Sequence, residues 1–324
     1  MKKTVLGAVI GLGIVAGAVS VAMAQEFPNR PIRVVVPYPP GGGTDNLIRL
    51  LVPSVSKTIG QPLLIENHAG GNTMIGTRLV AQAEPNGYTI LAQSETDILG
   101  PLVKDRAYDP LQSFTGVVTQ ATAPIIMTVH PSIDARTLAE LIALSKRSPG
   151  MLNFASSGVT STTRLAAELF KIETGANATA IPYKGTGASM TDSLAGTVQL
   201  LFGGISSVKQ HAESGRLRPL AVTGPTRNRA MPAVPTFAEL GFPGVDLQAA
   251  WMLFVPKGTP PPVVRKLNEH FVRTLKDPEM VAKMVDLSFE PVANTPEQVN
   301  ELISKARSKM IFIFEKARIT DADS

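Results

Sequence analysis

The chain has 324 residues with 31 basic, 26 acidic and 4 histidine side chains, so its formal net charge is +5. This weak and dispersed excess of positive charge does not favour a nucleic-acid partner. There is no cysteine, which excludes disulfides, thiolate nucleophiles and lipid-modified cysteines. The length is sufficient for a large hydrophobic core and favours two domains.

The first segment of the chain, residues 1–24, is predicted to be a secretory signal peptide. Lys2 and Lys3 precede an apolar stretch that ends at Ala22-Met23-Ala24, the small-x-small pattern of a cleavage site. We therefore predict export and cleavage after Ala24. The alternative is an uncleaved membrane anchor, since the stretch approaches the length of about 20 residues that spans a bilayer.

The next segments alternate β-branched runs with helical patterns, which is typical of a parallel α/β architecture. Between the first two predicted strands, apolar residues recur at helical spacing from Leu47 to Ile59, although Pro53 is expected to kink or restart that helix. A second helix surrounds Leu79. The predicted strands of this βαβαβ unit are 32–37, 62–67 and 88–93.

A second series of elements predicts a second sheet. Its helices are predicted at 138–146, 162–174 and 188–195, and the tail from 260 to 318 is mostly helical. Its strands are predicted at 125–131, 152–156, 178–183, 198–203 and 217–224, and a further strand is predicted at 248–256. Two α/β lobes, with crossings near 121–125 and 245–250, would leave a cleft between them, and such clefts are preferred ligand sites.

The stretch PPGGGTD, residues 39–45, follows the first strand and opens the first helix. Unpaired amides and the positive end of the helix dipole favour an anion there, and Gly42 and Gly43 allow close approach. An ordinary turn capped by Thr44 or Asp45 explains the stretch equally well. The charge of Asp45 would repel an anion unless the carboxylate points aside and orients neighbouring donors.

The stretch ASSGVTST, residues 155–162, repeats this arrangement in the second lobe. Ser156 ends a strand, Gly158 follows, and Ser161 is placed to cap the next helix. One helix start contributes about 0.3–1 kcal/mol at exposed sites, whereas micromolar binding needs about −8 kcal/mol. Both starts, together with several charge-assisted hydrogen bonds, must therefore converge on one ligand.

Enzyme motifs are absent from the sequence. The glycine run is neither a dinucleotide fingerprint nor a P-loop, and ASSGV is not a nucleophile elbow. The four histidines lack metal-ligand spacing. We predict no catalytic residue, metal or cofactor. An exported hydrolase remains an alternative that would require a nucleophile and a base within hydrogen-bond reach.

Single polar and aromatic residues near strand ends carry weaker signals. Tyr38 and Tyr183 are candidates to wall the cleft, although core packing explains Tyr183 at least as well. Lys184 is a candidate partner for a second carboxylate, but a loop lysine is usually solvated. Trp251 lies in an apolar run and is interpreted as a core or hinge residue.

An ordered series of motifs along residues 27 to 318 resembles the periplasmic solute-binding receptors of tripartite tricarboxylate transporters, the Bug family. The motifs include FPNRPIRVVVPYPPGGGTD, AQAEPNGYTIL, IPYKGTGASMTDSLAGTVQLLF and PKGTPPPVVRKLN. The resemblance implies a two-lobed type II periplasmic binding fold, the Venus flytrap, that closes on a small carboxylate. It also implies delivery to two membrane subunits, and a monomer is expected.

The resemblance also implies where the ligand binds. The two carboxylate-holding loops of the family map onto Tyr38 to Asp45 and Ser156 to Ser161, and Ser94 matches a further small polar position facing the cleft. The lobes are then residues 25–123 plus 248–324 and residues 124–247. The same architecture would serve a sensor that feeds a two-component signalling kinase, so this alternative stays open.

Several positions depart from the family pattern. Many members carry Asp or Asn where Gly203 and Gly204 stand, Arg164 replaces a frequent histidine, and the loop from Asn67 to Met74 differs. A side chain suited to an ammonium group is therefore missing at Gly203. We predict a preference for a plain mono- or dicarboxylate over an amino acid, while the particular acid is not predicted.

Overall fold

The computed structural model describes residues 27–71, 73–100, 109–156, 158, 160–183 and 186–319. The predicted signal peptide and its cleavage site lie outside these residues, as do Val159 and Lys184. Over the described residues, short strands alternate with helices as the apolar periodicity predicts.

Each strand predicted from the sequence overlaps an observed strand. The strands are β1 (Ile32–Val36), β2 (Leu63–Asn67), β3 (Thr89–Ser94), β4 (Phe114–Val129), β5 (Asn153–Ser156), β6 (Thr179–Pro182), β7 (Leu200–Gly204), β8 (Arg218–Val222), β9 (Gln248–Pro256) and β10 (Glu290–Pro291). The helices are α1 (Gly43–Ile59), α2 (Met74–Ala81), α3 (Glu95–Leu99), α4 (Pro110–Ser113), α5 (Leu138–Arg147), α6 (Thr162–Thr174), α7 (Thr186–Ala195), α8 (Ile205–Glu213), α9 (Pro261–Leu275), α10 (Pro278–Asp286) and α11 (Pro296–Ala317).

Helix α1 illustrates how the sequence sets these elements. Its apolar residues, among them Leu47, Leu51 and Val55, are buried on one face, and the helix ends at Gly60 in the left-handed conformation. The restart expected at Pro53 does not occur, since α1 is one helix through that residue. Burial of the apolar face outweighs the hydrogen bond that proline cannot donate.

The strands form one mixed, curled sheet in the order β2-β1-β3-β9-β4-β7-β5-β6, with β8 and β10 also pairing with β4. Strands β1, β2 and β3 are parallel to one another, as are β5, β6 and β7. Strand β9 runs antiparallel to both β3 and β4. The helix starts that follow the parallel strands therefore gather at the carboxyl edge of each half, where open α/β sheets bind their ligands.

Strand β4 begins eleven residues before the predicted start at residue 125 and connects the two halves of the sheet. Residues 114–124 pair with β9, whereas residues 125–129 pair with β7 and β8. The strand is buried along most of its length, so its first half lacks the alternation that marks a half-exposed strand. The chain thus passes between the lobes inside one strand.

Helix α11 packs against both halves of the molecule. Its Val299 lies against Gly116 of β4, where an added Cβ atom would come within 2.4 Å of a Val299 methyl group. Farther along, Phe314 belongs to the same buried cluster as Phe170 of α6 and Phe237 of the second half. The predicted lobe boundaries, 25–123 plus 248–324 and 124–247, remain a prediction, because α11 contributes to both cores.

The first expected outcome concerns Thr119 of β4, next to which the pairing register with β9 shifts. Asn294 accepts a hydrogen bond from the Thr119 amide at 2.7 Å and donates one to the Thr119 hydroxyl at 3.1 Å. Because Thr119 is fully buried, Asn294→Ala leaves its amide unpaired and should lower the free energy of unfolding by about 1–3 kcal/mol. Urea denaturation measures this loss.

A surface asparagine supplies the control for this variant. Exposed Asn177 accepts only a 3.4 Å bond, from the Gly150 amide, so Asn177→Ala should change the unfolding free energy by less than about 0.5 kcal/mol. Equal losses in the two variants would contradict a special role for the buried Thr119 amide.

Candidate functional site

The starts of three helices meet at one cavity of about 320 Å³ between the two lobes. Gly43 opens α1 in the first lobe, residues 161–163 open α6, and residues 204–206 open α8 in the second lobe. Since the first amides of a helix have no partner inside the helix, each start presents N–H donors and partial positive charge. The cavity is therefore suited to an anion.

The remaining wall of this interlobe cavity is apolar and comes from the crossing strands and the C-terminal region. It includes Pro124 of β4, Trp251 of β9, and the turn from Leu287 to Phe289. The rings of Trp251 and Phe289 meet edge to face, with centroids 4.9 Å apart. None of the described residues lining the cavity has a charged side chain, so its positive character comes from backbone groups.

No side chain caps the start of α1. Gly42 is the N-cap residue in an extended conformation, and Thr44 and Asp45 lie inside the first turn. The alternative in which Thr44 or Asp45 caps the helix is therefore wrong. The reason is that the helix begins one residue earlier than expected, at Gly43, so neither oxygen is in the position that accepts from first-turn amides.

Asp45 is held within the first lobe and is not among the residues that line the interlobe cavity. One carboxylate oxygen accepts bonds from the Arg49 side chain at 2.8 Å and the Gly41 amide at 2.9 Å, while the other accepts from Asn67 at 2.9 Å. The Arg49 guanidinium, aided by the other donors, lowers the pKa of Asp45 to about 2. Asp45 thus orients the glycine loop. Of the two possibilities for its charge, repulsion of an anion or orientation of neighbouring donors, these contacts favour the second.

Ser161 caps α6 as predicted. Its hydroxyl accepts from the Arg164 amide at 3.3 Å and donates to the Gly158 carbonyl at 2.8 Å. Gly158 has φ = +134°, a conformation that glycine tolerates. Ser156 is buried at the end of β5, where its carbonyl accepts from the Tyr183 amide. Of these, only Ser161 is among the residues that line the interlobe cavity.

Tyr38 and Ser94 form a hydrogen-bonded group with Asp97 in the first lobe. The Tyr38 hydroxyl donates to Asp97 Oδ2 at 2.6 Å, and Ser94 Oγ donates to the same oxygen at 2.8 Å. Burial, reinforced by the Asp97 carboxylate, raises the pKa of Tyr38 well above its usual value. Both predicted ligand hydroxyls are therefore already paired, and they support the strand ends that precede α1 and α3.

Gly203 lines a smaller cavity of about 250 Å³ in the second lobe, which shares Thr163 and Gly204 with the interlobe cavity. A Cβ atom at Gly203 would lie 3.0 Å from a Val208 methyl group, whereas at Gly204 the nearest atoms are serine hydroxyls 4.0 Å away. A side chain that reaches the ligand therefore fits position 204 better than position 203.

The lobes also touch directly beside the interlobe cavity. Thr96 of α3 and Thr162 at the start of α6 have their hydroxyl oxygens 3.3 Å apart. This contact joins the helix that follows Ser94 to the helix that Ser161 caps. The loops that the sequence singled out in the two lobes are thus neighbours across the cleft.

Two contributions to the site are missing from the sequence-based prediction. The start of α8 had a local signal, since a strand ending in two glycines precedes Ile205 and Val208 at helical spacing. The turn from Leu287 to Phe289 had none, because it lies far along the chain from the lining residues of α6 and α8: Leu287 follows Ser206 by 81 residues. Only the folded chain places it there.

The described part of the chain gives little support for a metal site or for a hydrolase. No three His, Asp or Glu side chains come together there as a metal site. Ser132 Oγ lies 2.7 Å from His130 Nδ1, which meets the distance required of a hydrolase pair. Both residues are on the loop after β4, and neither lines the interlobe cavity.

A curled mixed sheet with helices, divided into two lobes around a ligand-sized cavity, defines a periplasmic binding protein fold. The family model described as "Tripartite tricarboxylate transporter family receptor" matches residues 47–319. The chain belongs to this family of periplasmic solute-binding receptors, as the motifs had indicated.

Individual relatives agree with this assignment. BugT of Bordetella pertussis is 35% identical over 94% of both chains. A solved R. palustris structure with adipate is 32% identical, covers 91% of this chain and 99% of its own, and has a TM-score of 0.76. MatC from Rhodopseudomonas palustris with bound malate is 28% identical and has a TM-score of 0.72. The match covers 89% of this chain and 99% of the MatC chain.

The second expected outcome follows from the low pKa of Asp45. A carboxyl whose pKa is lower in the folded state stabilises the fold above its unfolded value of about 3.9, and this stabilisation is lost as the pH falls toward 2. Asp45→Asn should therefore be less stable than the parent at pH 6, and the difference in melting temperature should shrink between pH 4.5 and about 2.

A surface carboxylate provides the comparison for this pH series. Glu301 pairs with Lys305 in an exposed i, i+4 pair on α11, so Glu301→Gln should change the melting temperature little at any pH. A constant difference between Asp45→Asn and the parent from pH 6 to pH 2 would contradict the assigned cause.

Proposed function

We propose that this protein captures a small organic carboxylate in the interlobe cavity and delivers it to the membrane subunits of a tripartite tricarboxylate-type transporter. The observation that carries the proposal is the convergence of the starts of α1, α6 and α8 on a cavity whose described lining has no charged side chain. A carboxylate is the natural ligand of such converging amides.

The energetics favour one anion held by several starts at once. A partly buried helix start contributes up to about 2 kcal/mol. Charge-assisted hydrogen bonds add about 1.5–3 kcal/mol each, so three starts with two or three such bonds reach the roughly −8 kcal/mol of micromolar binding. A single start would bind too weakly for a receptor.

The proposed ligand residues act in two ways. Gly42, Gly43 and Thr44 supply amides from the first lobe, and Ser161 supplies the start of α6. The remaining proposed residues position these groups or line the adjoining second-lobe cavity: Tyr38, Asp45, Ser94, Ser156, Gly158 and Gly203. Neither a cofactor nor a catalytic step is part of this function.

The relatives with adipate and malate support a carboxylate as the ligand class, since both are organic acids. The predicted signal peptide, with cleavage after Ala24, supports a periplasmic location for the proposed receptor, in agreement with its family. Among the described residues, no helix combines the length and the apolar character needed to cross a membrane.

The third expected outcome tests the class of ligand. A panel of mono- and dicarboxylates should raise the melting temperature, because a ligand that binds only the folded state stabilises it. Calorimetry should then rank a plain carboxylate above glutamate and aspartate, since none of the described residues that line the cavity is acidic and able to receive an ammonium group. Tighter binding of either amino acid than of every plain acid would contradict this preference.

The fourth expected outcome uses Gly204, the N-cap of α8. Its φ of −71° suits any residue, and no atom lies closer than 4.0 Å to an added Cβ atom. Asp and Asn are equally good N-caps, so both variants should keep or raise the melting temperature. Gly204→Asp adds a negative charge at the cavity and should weaken carboxylate binding about tenfold or more.

Gly204→Asn is the matched control because it has nearly the same shape without the charge. Its affinity for the best acid should stay within a few-fold of the parent value. If Gly204→Asp binds the acid as tightly as Gly204→Asn does, the anion does not sit at the convergence of the helix starts and the proposed site is wrong.

A further inference from the structure

Trp251 stands at the start of α1, although its sequence context indicated only a core or hinge residue. A Cβ atom added to Gly43, the first residue of α1, would lie 3.7 Å from Trp251 Cζ2 and 4.0 Å from Nε1. These two atoms belong to the same edge of the indole ring. The edge that carries the N–H group therefore lies beside the first amides of α1.

The indole N–H is a donor without an acceptor in the described part of the chain. No described residue accepts a hydrogen bond from Trp251 Nε1, and this atom is not among the fully buried side-chain atoms that lack a partner, so it is open to the solvent of the cavity. Trp251 itself is half-buried and lines the interlobe cavity. Because an indole N–H in such a setting normally finds an acceptor, a ligand oxygen in the cavity is the natural partner.

Phe289 holds the Trp251 ring in place. The two rings are nearly perpendicular, at 88°, with centroids 4.9 Å apart, which is the favoured edge-to-face arrangement. Phe289 is buried, and Leu287 of the same turn remains half exposed at the cavity. The ligand thus meets a rigid aromatic wall flanked by an aliphatic side chain.

The size and polarity of the cavity limit the body of the ligand. A dry cavity of about 150 Å³ lined by apolar side chains holds benzene, and this cavity measures about 320 Å³. The described lining offers converging donors for one carboxylate but no cationic side chain for a second. A single carboxylate on a flat apolar body fits these features better than a flexible diacid.

We propose that Trp251 is a ligand-binding residue that donates its indole N–H to the bound carboxylate and packs against a flat, apolar ring attached to it. The ligand class is therefore a monocarboxylic acid with an aromatic or similarly planar body. This inference rests on the proposed carboxylate site and adds to it a specific side-chain contact and a body shape.

Trp251 is the one tryptophan of the chain, so its fluorescence reports on this contact directly. The full-length mature protein is titrated with benzoate, cyclohexanecarboxylate and adipate, with excitation at the red edge of indole absorption. Benzoate should change the emission saturably and bind at least tenfold more tightly than cyclohexanecarboxylate, which is not flat, and adipate, which carries a second charge.

Two variants separate the hydrogen bond from the ring. Trp251→Phe keeps an aromatic ring against Phe289 but removes the N–H, and its affinity for benzoate by calorimetry should fall about tenfold or more. Trp251→Leu removes both the ring and the N–H group, and its affinity for benzoate should fall further. Leu240→Ala, at an exposed position of the second lobe, should bind as the parent does. Circular dichroism and melting temperature confirm that each variant is folded.

The outcomes distinguish this inference from the proposed function. If no carboxylate of a broad panel binds, the proposed function itself fails. If carboxylates bind while Trp251 emission is unchanged and Trp251→Phe keeps parental affinity, the receptor function stands and the role of Trp251 is overturned. If adipate binds more tightly than benzoate, the planar monocarboxylate is overturned as the ligand class.

Discussion

Strands β4 and β9 pair antiparallel from Phe114 to Pro124, and this ladder lies where the chain passes between the lobes. At its far end, Ala123 stands opposite Ala249, and both residues line the interlobe cavity. The strands that connect the two lobes therefore also form part of the wall of the cavity between them. The parallel strands of both halves end beside this ladder. The starts of α1, α6 and α8 are therefore directed into the same interlobe cavity.

The electrostatics of the site depend on which hydrogen-bond donors pair with the two nearby carboxylates. Asp45 is paired with Arg49, Asn67 and the Gly41 amide, and Asp97 accepts from Tyr38 and Ser94. Both carboxylates are thereby used to hold the loops of the first lobe. Ser161 accepts from the Arg164 amide at the start of α6, whereas no side chain caps the starts of α1 and α8. The described lining of the cavity has no charged side chain that would offset the partial positive charge of these starts.

The C-terminal part of the chain decides the shape of this site. Trp251 and Phe289 form the aromatic wall, and Leu287 extends it on the solvent side. Trp251 and Phe289 pack with the buried cluster of the first lobe, whereas helix α11 joins the cluster that includes residues of both lobes. An anion held by backbone amides alone would be recognised only by its charge, whereas this wall adds a preference for the body attached to it.

The sequence by itself determined the alternating strands and helices, the glycine-rich start of α1, the Ser161 cap and the family, because these depend on local periodicity, capping chemistry and contiguous motifs. It did not reveal that β4 begins at Phe114, that Asp45 pairs with Arg49, or that Gly204 rather than Gly203 lines the interlobe cavity. Nor did it place Trp251 beside Gly43. Those features arise from strand pairing and side-chain packing between distant segments, which only the tertiary structure decides.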